Sequence, residues 1–72
     1  MASKDQENVL KDLGDKLRKF REQAGLTQAQ VAAASGVNAN YYARIERGEE
    51  NPSYEKLQAV MKVLGIKSLD LS

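Results

Sequence analysis

Asn40 and Arg44 stand four residues apart in the segment Asn38-Ala39-Asn40-Tyr41-Tyr42-Ala43-Arg44-Ile45-Glu46-Arg47, a spacing that puts both on one face of a helix. The chemistry open to such a pair is the reading of nucleobases. A carboxamide can pair bidentately with adenine, and a guanidinium can pair bidentately with guanine, both through the major-groove edge. At roughly 100° per residue, Tyr42, Ile45 and Glu46 fall on the other side of the helix, while Ala43 and Arg47 complete the polar side. A helix this short fits a major groove, with its N-terminal residues nearest the bases. A merely solvated helix face has the same composition, so the surrounding elements decide between the two readings.

Those elements are legible as four or five short helices. Val9, Leu10, Leu13, Leu17, Phe20 and Ala24 recur at three- and four-residue steps, the signature of one amphipathic helix, which Gly25 closes. Thr27 sits at an N-cap position with Gln30 three residues later, so a capping box opens the short alanine-rich helix Gln28-Ala29-Gln30-Val31-Ala32-Ala33-Ala34-Ser35. Gly36 supplies the left-handed backbone that a tight inter-helix turn needs. Asn38 then caps the segment that carries Asn40 and Arg44, and Gly48 ends it. After the polar loop Glu49-Glu50-Asn51-Pro52-Ser53, a last apolar face is formed by Tyr54, Leu57, Val60, Met61 and Leu64. Gly65 follows, and residues 66–72 can add one further turn near Ser68. No alternating apolar pattern or hairpin turn is present, so the expected fold is all-α: a compact bundle with a helix-turn-helix inside it. Residues 1–72 read as a single domain, with 1–8 as its candidate disordered part.

The composition removes several classes of function. The chain has no histidine and no cysteine, which excludes disulfides, thiolate-bound zinc and imidazole general bases together. No glycine-rich phosphate loop and no nucleophile paired with a base is visible, so neither an enzyme nor a cofactor is expected. Asp12, Asp15 and Glu22 read as a solvated face. No window approaches the ~18 apolar residues of a membrane span, and the first residues lack the apolar core of a secretory signal. The expectation is a cytoplasmic protein with no membrane or metal partner.

The segment from Leu26 to Ser53 resembles the helix-turn-helix domain of the phage repressor and Cro superfamily, often called Xre-like. The resemblance runs from about Leu13 to Ile66. Leu26-Thr27-Gln28, Ala32, Gly36, Ile45-Glu46-Arg47-Gly48 and Asn51-Pro52-Ser53 carry it. It implies a DNA-binding domain whose reading positions are Ala39, Asn40 and Arg44, with Tyr41 beside them as either a DNA contact or a packing residue. Ala39 offers only a methyl group, for example to thymine. The resemblance gives Gln28 a clamp on the DNA backbone, at a helix start where free N–H groups also favour phosphate. Thr27, Asn38, Arg47 and Asn51 join it as positioning residues. Arg21 and Glu46 match a structural ion pair, and Tyr42 is a core residue where the family commonly has a branched aliphatic.

Charge is where the chain departs from that pattern. Residues 26–48 carry two bases and one acid, and the whole chain is only +1. Glu49 and Glu50 occupy a loop that approaches a phosphate in the family. Affinity for double-stranded DNA would then rest on neutral donors, helix ends and the few bases Lys16, Arg18, Lys19, Arg44 and Arg47. Because one short helix reads few base pairs, a homodimer on half-sites ~34 Å apart is expected. Ile66, Leu69 and Leu71 are candidates for its interface or for the core. The near-neutral charge also keeps open a protein partner, as in an antitoxin-like or protein-interaction module.

Overall fold

A computed structural model describes residues 4–67, with side chains described from Asn8 onward. Its elements are α1 (Lys4–Gln23), α2 (Gln28–Ser35), α3 (Ala39–Glu46) and α4 (Tyr54–Leu64), and no strand occurs among the described residues. The expected all-α bundle is thus observed. Helix α1 starts at Lys4, so residues 4–8, read from sequence as candidate disorder, are helical; residues 1–3 and the turn expected near Ser68 lie outside the described residues.

Local chemistry starts and stops these helices. At α2 the Thr27 side chain accepts from the Gln30 N–H at 3.1 Å, and the Gln30 side chain accepts from the Thr27 N–H at 2.8 Å. This reciprocal capping box satisfies two donors that the helix leaves unpaired. At the other end Gly36 adopts φ +75°, and the next residue, Val37, donates to the Ala32 carbonyl at 3.0 Å. That left-handed residue is what lets the chain reverse into α3 within three residues. Asn38 then caps α3, accepting from the N–H groups of Asn40 at 2.8 Å and Tyr41 at 3.4 Å.

The core joins all four helices: Leu13 and Leu17 from α1, Val31 and Ala32 from α2, Tyr42 and Ile45 from α3, Val60 and Leu64 from α4, closed by Ile66. Ile66 is therefore a core residue, while Leu69 and Leu71 lie outside the described residues. Four residues read from sequence as part of apolar faces turn out exposed: Val9, Phe20, Ala24 and Tyr54, the last at 75%. In α1 the buried apolar positions are Leu13 and Leu17, and the pattern runs past them on both sides. Tyr54 is the first residue of α4 and its hydroxyl accepts from Gln58 on its own surface at 2.8 Å; the inward stripe starts a turn later, at Leu57.

Helix α1 crosses the C-terminal end of α3 at very short range. A Cβ on Gly14 would meet the Ile45 carbonyl oxygen at 2.5 Å and would also strike that of Glu46. A Cβ on Gly48 would come within 2.8 Å of the Lys11 side chain. Only hydrogen atoms fit at these points, and the approach sets the seat of α3.

Candidate nucleic-acid interface

The inner side of α3 is fixed by packing and by one buried ion pair. Tyr42 and Ile45 are fully enclosed, and Glu46 is 7% exposed. The Glu46 carboxylate accepts from Arg21 Nε at 2.6 Å and Arg21 Nη2 at 3.1 Å, the two-pronged geometry that matches guanidinium to carboxylate. Arg21 Nη1 spans on to the Leu26 carbonyl at 3.0 Å. The ion pair expected between α1 and α3 is present, and it also ties down the chain entering α2.

Gln28 is the third partner. Its Nε2 donates to Glu46 Oε1 at 3.0 Å, so the side chain expected at a phosphate is anchored in the ion-pair network, linking α2 to α3. One amide hydrogen remains for another acceptor.

These contacts govern ionisation. Burial alone would raise the Glu46 carboxyl, but the hydrogen bonds from Arg21 and Gln28, with the nearby Tyr42 phenol, outweigh it and hold the group below its ordinary value. The same hydrogen bond to Glu46 raises Arg21 against the opposing effect of burial. Burial, followed by the nearby Glu46 carboxylate, pushes the Tyr42 phenol well above its ordinary range. The Tyr42 oxygen nevertheless meets no partner in good hydrogen-bond geometry among the described residues, so Glu46 acts on it chiefly as a neighbouring charge.

The outer side of α3 carries the reading candidates. Ala39 and Asn40 are exposed in its first turn. Tyr41 is half-buried, packed against the core on one part of its ring. Its ring also takes the cation of Lys56, from α4, at 4.6 Å from the centroid, and the Arg44 guanidinium at 6.0 Å. Of the two alternatives read for Tyr41, these contacts describe the packing one, at a position beside Asn40. Lys56 was not among the expected interface residues. It comes from a different helix, and no local pattern links it to Tyr41.

Arg44 and Arg47 are not free cations. Arg44 Nε donates to Glu50 Oε2 at 2.9 Å, and Arg47 Nε donates to Glu49 Oε1 at 3.0 Å. The backbone explains the first pair: after Gly48 turns with φ +76°, the Glu49 N–H returns to the Arg44 carbonyl at 2.9 Å, which brings Glu50 alongside the Arg44 side chain. The acids that looked misplaced in the sequence are the partners of the two bases. Thr27 and Asn38 hold their cap positions at the starts of α2 and α3, and Asn51 is exposed in the loop that leads to α4.

Two helices joined by a glycine turn, the second locked inward by Tyr42, Ile45 and Glu46 and presenting Asn40 and Arg44 outward, define a helix-turn-helix protein. Comparison with known proteins agrees. The helix-turn-helix family model matches residues 17–71. An uncharacterised HTH-type transcriptional regulator of Sinorhizobium fredii is 34% identical over 64 residues, covering 89% of this chain and 83% of that protein. The immunity repressor protein of Bacillus phage phi105 is 38% identical over 55 residues, covering 76% of this chain and 38% of the repressor. This chain thus spans well under half the length of that repressor. The restriction-modification controller protein C.AhdI from Aeromonas hydrophila superimposes with a TM-score of 0.78 at 33% identity, covering 81% of this chain and 88% of that one. The chain belongs to the helix-turn-helix family, in the repressor and Cro-like branch indicated by its sequence, as a DNA-binding transcriptional regulator.

No helix among the described residues is long and apolar enough to cross a membrane.

Proposed function

We propose that this chain is a sequence-specific regulator that lays α3 in the major groove of double-stranded DNA and acts in the cytoplasm as a homodimer on a pseudo-palindromic site. The observation that carries the reading is the two-sidedness of α3: one side is locked into the core, and the other exposes Asn40 beside an Arg44 whose terminal nitrogens have no protein partner among the described residues. Asn40 reads adenine and Arg44 reads guanine, with Ala39 and Tyr41 in contact beside them. Gln28, through its remaining amide hydrogen, together with Thr27, Asn38, Arg47 and Asn51, positions the duplex through its backbone. Dimerisation doubles a reading surface that is only eight residues long.

Selection from random duplexes, followed by sedimentation of the complex, tests this. The expected outcome is an enriched two-fold site bound by two chains, with Arg44→Ala relaxing the preference for one guanine by ~1–3 kcal/mol. Absence of enrichment at low salt overturns sequence-specific reading. A single chain on a single half-site overturns the dimer.

A further inference from the structure

Glu50 occupies an unusual position for a residue next to a DNA-reading surface, because a carboxylate near phosphates opposes binding. Its contact with Arg44 gives it a use. We propose that Glu50 is a specificity-determining residue: it holds Arg44 so that the guanidinium serves as a base reader and not as a general phosphate clamp. This rests on the DNA reading of α3 given above.

Three observations support it. Glu50 takes only the Nε proton of Arg44, at 2.9 Å, which leaves both terminal nitrogens with their hydrogens to offer. Two such donors side by side match the O6 and N7 acceptors of guanine. The guanidinium is restrained a second time, by the Tyr41 ring at 6.0 Å, and that ring is itself held by the core and by Lys56. Finally, the Glu50 contact is built by the backbone. The turn at Gly48 and the bond from the Glu49 N–H to the Arg44 carbonyl deliver the acid to this place.

An unheld arginine has long reach and takes phosphates on any sequence, so it raises affinity without adding discrimination. A held one is aimed. The carboxylate adds a second effect: where the correct guanine is absent, no new bond offsets its repulsion from the phosphates. Wrong complexes are weakened more than the right one, and specificity is the difference between the two. Arg47 and Glu49 form a contrasting pair. Both are more exposed, and the pair lies at the end of α3, farther from the first turn where the bases are met.

The test compares the wild type with Glu50→Gln, Glu49→Gln, Arg44→Ala and the Arg44→Ala/Glu50→Gln double variant. Each binds the selected duplex, the same duplex with the Arg44-dependent guanine replaced, and an unrelated duplex, over a range of salt. Glu50→Gln is expected to tighten binding to the unrelated duplex, to steepen its salt dependence by up to ~0.9 in log–log slope, the value of one further phosphate contact, and to lower the guanine ratio by roughly two- to fivefold, the range an exposed ion pair supplies. Glu49→Gln is expected to tighten all three duplexes alike and leave the ratio unchanged. In the Arg44→Ala background, Glu50→Gln should not move the ratio. Far-UV circular dichroism establishes that each variant keeps its helices. A wild-type guanine ratio that Glu50→Gln fails to lower overturns the role of Glu50 alone. A ratio untouched by Arg44→Ala removes Arg44 as the reader and Glu50 with it. A wild type with no preferred duplex overturns the DNA-reading assignment itself.

Discussion

Replacing Glu46 with alanine removes the one acceptor that three donors share: Arg21 Nε at 2.6 Å, Arg21 Nη2 at 3.1 Å and Gln28 Nε2 at 3.0 Å. Cutting one partner from a buried ion pair costs about 3–5 kcal/mol, because the remaining charge is left without compensation. The Arg21 side chain is 14% exposed and keeps the Leu26 carbonyl, which gives the stranded cation some relief and selects the lower end, ~3 kcal/mol. In a domain of this size each kcal/mol lowers the unfolding midpoint by about 4–8 °C, so the loss amounts to roughly 12–24 °C. Thermal and urea unfolding followed by circular dichroism measure it. The control is the double variant Arg21→Met/Glu46→Leu, in which no charge is stranded. Removing both partners is often close to neutral, so this protein should recover most of the loss. A Glu46→Ala variant within about 1 kcal/mol of the wild type would refute the reasoning, since the cost of a stranded charge starts well above that value. So would a double variant as unstable as the single one.

Gly14→Ala should lower stability and DNA affinity together: an added methyl ordinarily favours a helix interior by about 1 kcal/mol, but here it collides with the Ile45 and Glu46 carbonyls, and forced overpacking costs ~1–3 kcal/mol. A raised thermal midpoint in that variant would contradict the close α1–α3 contact. Acid should also act through Glu46. Its folded pKa lies below its ordinary value of 4.5, so the stabilisation is complete above that value and is lost as pH falls through the lower folded value. The stability difference between wild type and Glu46→Gln is therefore expected to shrink steadily below pH 4.5; a constant difference down to pH 2 argues against ionised Glu46 as the source.

Short-range signals in the sequence translated directly into structure. The Thr27–Gln30 capping box, the turn at Gly36 and the Asn38 cap each involve residues within four positions of one another, and each forms as its chemistry requires. The inward set Tyr42, Ile45 and Glu46 followed from helical periodicity, because a single buried side is enough to fix phase. What remained hidden depends on where separate elements meet. Nothing in the sequence around Gly14 marks it, and only the path of α3 across it reveals why no side chain fits. Tyr54 had the right spacing for the core but lies before the point where α4 gains neighbours. Gln28, read as a clamp on the DNA backbone, also bonds Glu46, 18 residues away, at 3.0 Å, a contact with no local signal. Glu50 lies six residues from Arg44, beyond the reach of helix spacing, and the turn at Gly48 brings them together.

The contact of Gly14 with the last turn of α3 makes that helix a lever. Its pivot lies against α1 at Ile45 and Glu46, and Asn40, proposed to read adenine, stands in the first turn, about 7.5 Å along the axis for five residues at 1.5 Å each. A tilt too small to disturb the core displaces the tip in proportion to that length, and hydrogen bonds to bases tolerate only a few tenths of an ångström. On the proposed reading of bases by α3, fidelity in choosing a target is partly set by the close contact of Gly14 with the end of that helix. Changes at the pivot should therefore alter which sequence is preferred as well as how stably the chain folds.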